Sequence, residues 1–368
     1  MLSKIKEFVK KEAVLTVSGV LALVSMFFVP PDSGYVSYID FKTLAILLCL
    51  MIVMAGFRKI GVFSAMAKAL LERTSTIKST ILILVMLCFF TSMAITNDVA
   101  LITFVPFAIE VLSGADRKDK FIFTVVMQTV AANLGSMLTP IGNPQNLYLY
   151  TLSGISAVSF IKLMLPYSTL SLVMILVCVL WGRSEKLRSS KYEKTTVPIK
   201  STVLYCIMFA VCIATVAGYI PYYVMLVLIL ALTAVSDRTL IKKADYGLLL
   251  TFIFFFIFIG NMGNMAQFRD WLASVIDKRE IIVSVLSSQV ISNVPAALLL
   301  SGFTENTEQL IIGTNIGGLG TLIASMASLI SYKYLAVFDG NSKGKYMLVF
   351  TSVNIAFLIV LTVFCIII

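Results

Sequence analysis

The chain has 368 residues, of which 59% are hydrophobic and only 13% are charged, against about 45 to 50% and about 25% in soluble domains. This composition excludes an ordinary soluble protein and predicts an all-α polytopic membrane protein in contact with the lipid bilayer. The net charge of +10 does not indicate nucleic-acid binding, because the basic residues lie between apolar segments, where membrane orientation explains them. The six cysteines lie singly in apolar segments, without the spacing of a disulfide or metal site.

Nine segments are long and apolar enough to cross a membrane at about 20 residues per crossing. They are 13–30, 41–57, 121–152, 160–182, 201–217, 220–236, 245–263, 310–335 and 346–368. Lysines precede the first segment as in a signal peptide, but Pro30-Pro31-Asp32 follows it instead of a cleavage site, which predicts a retained span. Residues 58–75 and 264–279 are shorter and amphipathic, which is typical of helices that lie in the membrane interface.

Two more apolar segments carry a polar interruption and are interpreted as re-entrant helical hairpins. They span 79–112 and 281–303, with interruptions at Thr96-Asn97-Asp98 and Ser292-Asn293-Val294-Pro295. With a cytoplasmic N-terminus and two re-entrant hairpins, all but five of the 29 Lys and Arg residues lie inside, as the positive-inside rule requires. The first hairpin then opens from the cytoplasm, the second opens from outside, and the C-terminus lies outside.

A stretch rich in amides, glycine and proline interrupts the span at 121–152. It runs from Asn133 to Asn146 and reads Asn-Leu-Gly-Ser-Met-Leu-Thr-Pro-Ile-Gly-Asn-Pro-Gln-Asn. Proline stops a helix, and freed backbone groups are tolerated in a membrane only where protein or a wet cavity covers them. The stretch therefore predicts a broken helix, with a simple proline kink or a loop between two short helices as the structural alternative.

The same pattern returns in the span at 310–335, at an offset of 182 residues. The identical pairs are Asn133/Asn315, Gly135/Gly317, Thr139/Thr321 and Ile141/Ile323. The prolines do not recur, which predicts a gentler second break. The hairpin tips repeat as well, because Thr96-Asn97 falls on Ser292-Asn293 at an offset of 196.

The order span, span, interfacial helix, hairpin, broken span, span thus occurs twice. We interpret 1–182 and 220–368 as inverted repeats, joined by a basic linker and a connecting span at 183–219. Inverted repeats with a broken helix in each half predict a binding site at the membrane midplane and alternating access.

These motifs resemble those of the ion transporter superfamily with a citrate-transporter-like domain, which includes divalent anion/sodium symporters, arsenite efflux permeases and NhaD-type sodium/proton antiporters. The motifs are Thr96-Asn97-Asp98-Val99-Ala100-Leu101, Asn133 to Asn146, Ser292-Asn293-Val294-Pro295 and Gly313-Thr314-Asn315-Ile316-Gly317-Gly318. The resemblance covers nearly the whole chain and implies an elevator-type transporter, in which hairpins and broken helices slide against a scaffold that forms a homodimer. In the dicarboxylate symporters both tips read Ser-Asn-Thr and hold sodium and carboxylate. Only part of each motif occurs here, and Asn97-Asp98 is more similar to the arsenite permeases.

Candidate residues for binding substrate and ion lie at the two tips and the two breaks. They are Thr96, Asn97, Asp98, Gly142, Asn143, Pro144, Asn146, Ser292, Asn293, Asn315, Thr321 and Ser325, with Ser92, Thr139, Ser288 and Gln289 as secondary candidates. Candidate positions for Na⁺ are near Asn97, Asp98 and Gly142, and near Asn293 and Ala324. Asp98 is the only acid predicted near the midplane, where a carboxylate is costly and indicates function; helix capping is the structural alternative.

The sequence argues against other functional classes. It has no histidine, no Gly-x-Ser-x-Gly motif and no paired intramembrane acids, which disfavours a membrane-embedded hydrolase. Its polar groups cluster at tips and breaks instead of lining a continuous pore, which disfavours a channel. We predict a secondary active transporter of the plasma membrane that moves a small anion (citrate, a dicarboxylate or an inorganic oxyanion) with Na⁺ or H⁺ and no other cofactor. An arsenite-type efflux permease and a Na⁺/H⁺ antiporter are the alternatives.

Overall fold

The computed structural model describes residues 12–181, 184–186, 196–338 and 342–368. Within these ranges the regular structure is helical, and seven helices are long and apolar enough to cross a membrane. The chain is therefore an integral membrane protein, as its composition predicts. The lysines before residue 12 and most of the predicted linker at 183–200 lie outside the described residues.

The helices follow one another in the predicted order. Before residue 182 they are Ala13–Phe28, Tyr35–Tyr38, Phe41–Lys59, Val62–Leu71, Ile77–Ile95, Asn97–Gly114, Phe121–Ser136, Pro144–Ser153 and Ala157–Leu180. After residue 196 they are Ile199–Val216, Tyr222–Ser236, Tyr246–Gly263, Ala266–Ile276, Glu280–Ile291, Asn293–Ser301, Thr307–Ile316, Met326–Phe338 and Lys343–Ile367. Two short 3₁₀ helices, Lys118–Lys120 and Arg238–Lys243, complete the set of the described ranges.

The first amphipathic segment begins later than predicted. The preceding span continues to Lys59, and Gly61 follows its end with a left-handed φ of 75°. Glycine adopts this conformation without steric penalty and commonly ends helices. The interfacial helix is therefore Val62–Leu71 rather than 58–75, and Arg58 and Lys59 belong to the span.

Both predicted hairpins turn back on themselves. The first consists of Ile77–Ile95 and Asn97–Gly114, and the second of Glu280–Ile291 and Asn293–Ser301. At the base of the second hairpin, the carboxylate of Glu280 accepts hydrogen bonds from Thr304 Oγ1 (3.0 Å) and Asn306 Nδ2 (2.7 Å). The two arms therefore begin and end at the same place, as the arms of a helical hairpin do.

The base of the first hairpin is joined to the segment that follows Leu180. Thr76 and Lys186 form an isolated antiparallel bridge, and Arg117 pairs with the carboxylates of Asp119 and Glu185. The Arg117 guanidinium holds the pKa of Asp119 down at about 2 and also lowers the pKa of Glu185. Since Thr76 precedes this hairpin and Arg117 follows it, these contacts bring its two ends together.

Polar contacts show that the segments connecting the helices lie at two ends of the molecule. At one end, Lys59 Nζ lies 2.5 Å from Asp237 Oδ2, so two segments predicted to be cytoplasmic meet. At the other end, Asn261 Nδ2 donates to Ser25 Oγ (2.9 Å) and Tyr35 Oη (2.8 Å). The helix Phe41–Lys59 runs from the second end to the first, so the two groups of connections lie on opposite sides.

Burial separates inner from outer helices. Phe41–Lys59 has 67% of its most apolar stretch buried, whereas Lys343–Ile367 has 28%. The outer helices expose large apolar side chains such as Val177, Val227 and Ile359, which a lipid environment accommodates. The hairpins and broken helices surround a buried polar centre.

Candidate substrate and ion site

Each hairpin tip is hydrogen bonded to the interrupted part of one broken helix. The backbone N–H of Asn97 donates to the carbonyl oxygen of Gly142 at 3.2 Å. The N–H of Asn293 donates to the carbonyl oxygen of Ala324 at 3.0 Å. Asn97 and Asn293 are matched residues at offset 196, and Gly142 and Ala324 are matched at offset 182. The same contact therefore occurs in both halves.

The tips also share an unusual backbone conformation. Thr96 has φ 69° and ψ 150°, and Ser292 has φ 75° and ψ 155°. Side chains other than glycine are strained in this region, and such strain persists only where the surrounding structure holds it, often at functional sites. Two non-glycine residues held alike mark both tips as candidate functional positions.

Two further contacts repeat between hairpin and broken helix. Thr139 Oγ1 donates to the Met93 carbonyl, and its counterpart Thr321 donates to the Gln289 carbonyl (3.0 Å). A Cβ at Gly135 would lie 2.7 Å from Ser92 Oγ, and a Cβ at Gly317 would lie 2.7 Å from Ser288 Oγ. Glycine thus lets the helices approach closely. The matched contacts are Thr139–Met93 with Thr321–Gln289, and Gly135–Ser92 with Gly317–Ser288.

The hydroxyls of Ser92 and Ser288 are satisfied within their own helices. Ser92 Oγ donates to the Phe89 carbonyl (2.9 Å), and Ser288 Oγ donates to the Ser284 carbonyl (2.7 Å). Helical serines commonly bond in this way. These two secondary candidates therefore lie in the packing between helices.

The first break spans residues 137–143, between Phe121–Ser136 and Pro144–Ser153. Asn146 Nδ2 lies 3.2 to 3.5 Å from the carbonyl oxygens of Ser136, Met137 and Thr139, where the helix Phe121–Ser136 ends. Asn143 Nδ2 donates to Ser136 Oγ (2.7 Å). Two predicted site residues therefore stabilise the break itself.

The second break is longer than the first, so the prediction of a gentler break is wrong. It covers residues 317–325, nine residues against seven in the first. Glycines unwind it, and Gly320 has a φ of 101°. Gln289 of the second hairpin stabilises it: Nε2 donates to the carbonyls of Gly317 and Leu319 (both 2.9 Å), and Oε1 accepts the Thr321 N–H (2.8 Å).

Buried amides join the two halves of the chain. Asn133 Oδ1 accepts from Asn97 Nδ2 and from Ser325 Oγ, both at 3.0 Å. Its counterpart Asn315 donates through Nδ2 to Asn146 Oδ1 at 2.6 Å. Each broken helix therefore contacts the other through a matched asparagine: Asn133 reaches the second break, and Asn315 reaches the first turn of the helix that follows the first break.

Asp98 lies in a cavity of about 140 Å³ beside the first tip. Thr96, Asp98, Ile141 and Pro144 line it together with apolar side chains of Phe41–Lys59. Asp98 Oδ1 is buried and has no hydrogen-bond partner among the described residues. Thr96 is the cap position of the hairpin helix and its side chain makes no cap bond, and Asp98 lies in the first turn of that helix.

The structure brings most of the predicted site residues to the buried polar centre and leaves others outside it. Asn97, Asn143, Asn146, Asn315 and Ser325 belong to the buried amide network. Ser292 and Asn293 lie buried at the second tip, and Gly142 accepts from the first tip. Thr321 is exposed and does not enter the polar centre.

Sequence reasoning missed Asn133 as a site residue and ranked Gln289 too low. The repeat in the sequence could have identified Asn133, because this residue is the repeat partner of Asn315, which is among the candidate site residues. The repeat gives no such indication for Gln289, because its counterpart Met93 contributes only a backbone carbonyl to the equivalent contact.

Two hairpin tips that meet two broken membrane helices around a buried polar centre are typical of secondary transporters. The chain belongs to the citrate transporter family, CitMHS, whose profile matches residues 5–309. This confirms the resemblance inferred from the tip and break motifs. The protein is a membrane transporter of this family.

The chain is similar to membrane proteins, two of which carry transporter names. The chain is 32% identical over 352 residues to an uncharacterized transporter of Methanocaldococcus jannaschii, covering 94% of each chain. It is 28% identical over 314 residues to the inner membrane protein YbiR of Escherichia coli, covering 83% of each. It is 28% identical over 169 residues to the silicon efflux transporter LSI3 of Oryza sativa, covering 44% of this chain and 34% of that protein.

Proposed function

We propose that this transporter moves a small anion by secondary active transport, coupled to Na⁺ or H⁺. The observation that carries the proposal is the buried, partnerless Oδ1 of Asp98 in a cavity beside a hairpin tip and a helix break. A carboxylate in a low-dielectric site strongly favours a bound cation or a proton over remaining bare. Asp98 is therefore the coupling residue.

The same region supplies the oxygen atoms that Na⁺ prefers. Besides Asp98, the carbonyl of Gly142 lies at the first tip and the carbonyl of Ala324 at the second. Each carbonyl accepts one tip N–H; the Gly142 carbonyl keeps a second lone pair, and the Ala324 carbonyl also accepts a longer hydrogen bond from Ser292 Oγ (3.4 Å). A cation near Asn97, Asp98 and Gly142, or near Asn293 and Ala324, would use these groups.

Anion binding is supported by helix ends. Four helices begin at the polar centre, at Asn97, Pro144, Asn293 and Met326, and each N-terminus carries about half a positive charge. Side-chain amides near these helix ends could also donate hydrogen bonds to an anion. The Asn97 amide already donates to Asn133 and the Asn143 amide to Ser136, whereas the Asn293 side chain makes no hydrogen bond to a described residue. Asn293 is accordingly the amide best placed to donate to an anion.

Inverted repeats and alternating access belong to the same proposal. The matched contacts at the tips and breaks support two related halves, 1–182 and 220–368, connected through 183–219. In the proposed elevator mechanism the hairpins and broken helices move together against the remaining helices, which form a homodimer in the plasma membrane. The distribution of Lys and Arg supports a cytoplasmic N-terminus and an outside C-terminus.

A proteoliposome panel tests the proposed function. Imposed Na⁺ and H⁺ gradients are each combined with citrate, C4 dicarboxylates, sulfate, phosphate and arsenite. We expect one gradient to drive accumulation of at least one anion above its equilibrium level. Na⁺/H⁺ exchange without anion dependence, or accumulation of arsenite alone, would overturn the anion assignment in favour of the antiporter or the arsenite-type permease.

A further inference from the structure

A second cavity adjoins the Asp98 cavity. It has a volume of about 330 Å³, and Lys59, Thr239 and Leu240 line it. Ala55, Arg58 and Lys243 line both cavities. Arg58 and Lys243 are exposed, whereas Asp98 Oδ1 is buried. The path from the surface to Asp98 therefore passes two cationic side chains.

Arg58 and Lys243 are not held in ion pairs with neighbouring acids of the described residues. The adjacent Lys59, by contrast, is paired with Asp237. The acid at the same mouth is Asp245, whose Oδ1 accepts the Leu248 N–H at 2.9 Å as a helix cap. The lining of the Asp98 cavity therefore holds two unpaired cations and, besides Asp98, one acid.

The opposite end of the molecule has a similar cavity without cations. It measures about 440 Å³ and is lined by the helix-capping Asp40, with Tyr38, Tyr148 and Gly260 among its other residues. Asp40 (φ −81°, ψ 86°) and Asp245 (φ −82°, ψ 86°) cap their helices in the same backbone conformation. No Lys or Arg of the described ranges lines this cavity. The positive-inside rule explains basic residues at one end, but it does not require them to line the path to Asp98.

We propose that Arg58 and Lys243 form an anion gate that draws an oxyanion toward the Asp98 cavity and so sets the charge of the substrate. Arg recognises carboxylate and other oxyanions with a planar fork of donors, and Lys acts as a point charge. Cations at the mouth of an apolar cleft concentrate anions there. The inference rests on the proposed function for its role in transport and assigns selection of the anion to two named residues.

The local potential can be measured without transport. Ile102 lines the Asp98 cavity, so Ile102→Cys, with Cys178 and Cys206 replaced by Ser, places a thiol inside it. The measured quantity is the rate of modification by an anionic methanethiosulfonate relative to a cationic one, read by mass spectrometry of the purified protein. In Arg58→Gln/Lys243→Gln we expect this ratio to fall by about tenfold.

A matched control removes two charges from the same end of the molecule. Arg238 and Lys242 are exposed residues of the 3₁₀ helix Arg238–Lys243, and neither lines a cavity named above. Arg238→Gln/Lys242→Gln should leave the ratio unchanged. An equal fall in both double variants, or no fall in Arg58→Gln/Lys243→Gln, would overturn the gate.

Competition distinguishes a soluble anion from a lipid headgroup. Citrate or sulfate should slow modification of the introduced thiol by the anionic reagent, and phosphatidylglycerol in place of phosphatidylcholine should not. The reverse result would assign the two cations to headgroup binding and overturn the proposal.

Transport assays distinguish an error in the anion gate from an error in the proposed function. For an anion accumulated by the wild type, Arg58→Gln/Lys243→Gln should raise KM about tenfold from the side on which the Asp98 cavity opens, with kcat retained. An unchanged KM overturns the gate and leaves anion transport standing. A wild type that accumulates no anion overturns both the proposed function and the gate, even if the labelling ratio falls.

Discussion

Asn133 holds the first tip and the second break together through one oxygen atom. Its Oδ1 accepts from Asn97 Nδ2 and Ser325 Oγ, and all three residues are buried. A buried donor that loses its acceptor costs about 1–3 kcal/mol. The stability of the polar centre therefore depends on this amide more than on any single contact at the protein surface.

Asn133→Ala should lower stability by about 2–4 kcal/mol, because two buried donors lose their acceptor. A thermal unfolding series in detergent measures the loss. Asn354→Ala is the matched control, since this buried amide donates only to the Phe350 carbonyl in its own helix (2.9 Å). Equal destabilisation by the two variants would show that Asn133 does not couple the halves.

For single residues, the sequence predicted where the polar site residues occur better than it predicted which side chains they contact. Asn97, Asn293 and Asp98 stand out as polar residues between apolar helices. The Asn133–Ser325 contact was not predictable, because it joins residues that are 192 positions apart. Pairing of such distant side chains is decided by the packing of whole helices and not by local pattern.

Close packing of a hairpin against a broken helix requires glycine at Gly135 and Gly317. A Cβ at Gly317 would lie 2.7 Å from Ser288 Oγ, and one at Gly135 would lie 2.0 Å from the Phe89 carbonyl oxygen. Real Cβ contacts essentially never become so short, so these helices would have to move apart. The hairpin and the broken helix therefore behave as one packed unit in each half.

Gly317→Ala should destabilise the protein by about 1–3 kcal/mol through overpacking. Gly263→Ala is the control, because no atom lies within 4 Å of a Cβ at Gly263, and this variant should be neutral or slightly stabilising in a helix. Thermal unfolding of both variants measures the difference. Unchanged stability of Gly317→Ala would contradict the close approach.

The ion pairs at the base of the first hairpin should depend on pH. The pKa of Asp119 is lowered to about 2 by Arg117, so its contribution is present above the unfolded pKa of about 4 and is lost as the pH falls toward 2. The melting temperature of Arg117→Gln should be slightly below that of the wild type at pH 7, and this difference should shrink between pH 4 and pH 2. A difference that is the same at pH 7 and pH 3 would exclude an ionic origin.

At the element scale, the sequence predicted the hairpins and the breaks but not the geometry of the second break. The absence of proline indicated a gentle interruption, and the structure has nine non-helical residues there. Glycines and the side chain of Gln289 keep this segment open. The contribution of Gln289 comes from another element, which a local pattern cannot show.

The two hairpins should be reached from opposite sides of the membrane. Lys118 and Glu305 are exposed at the bases of the first and second hairpins. In a background with Cys178→Ser and Cys206→Ser, Lys118→Cys should react with an impermeant thiol reagent from the cytoplasm and Glu305→Cys from outside. Reaction of both thiols from the same side would contradict the inverted arrangement.

At the scale of the whole molecule, the cavity beside Asp98 was not predictable from the sequence. Its walls combine the first hairpin, the first break and the span Phe41–Lys59 with Lys243 and Asp245. The sequence placed Asp98 near the midplane, but the cations at the mouth lie on other elements. Their position depends on how the helices pack.

The most direct test of cation coupling is gradient-driven uptake by Asp98→Asn. Under an imposed Na⁺ or H⁺ gradient, wild-type proteoliposomes should accumulate the anion, whereas Asp98→Asn should not exceed the equilibrium level, because the amide cannot bind and release the coupling cation. Glu110→Gln, an exposed acid on the same helix, should accumulate it normally, and thermal unfolding should show that Asp98→Asn remains folded. Accumulation by Asp98→Asn at the wild-type level would contradict the assignment of Asp98 as the coupling residue.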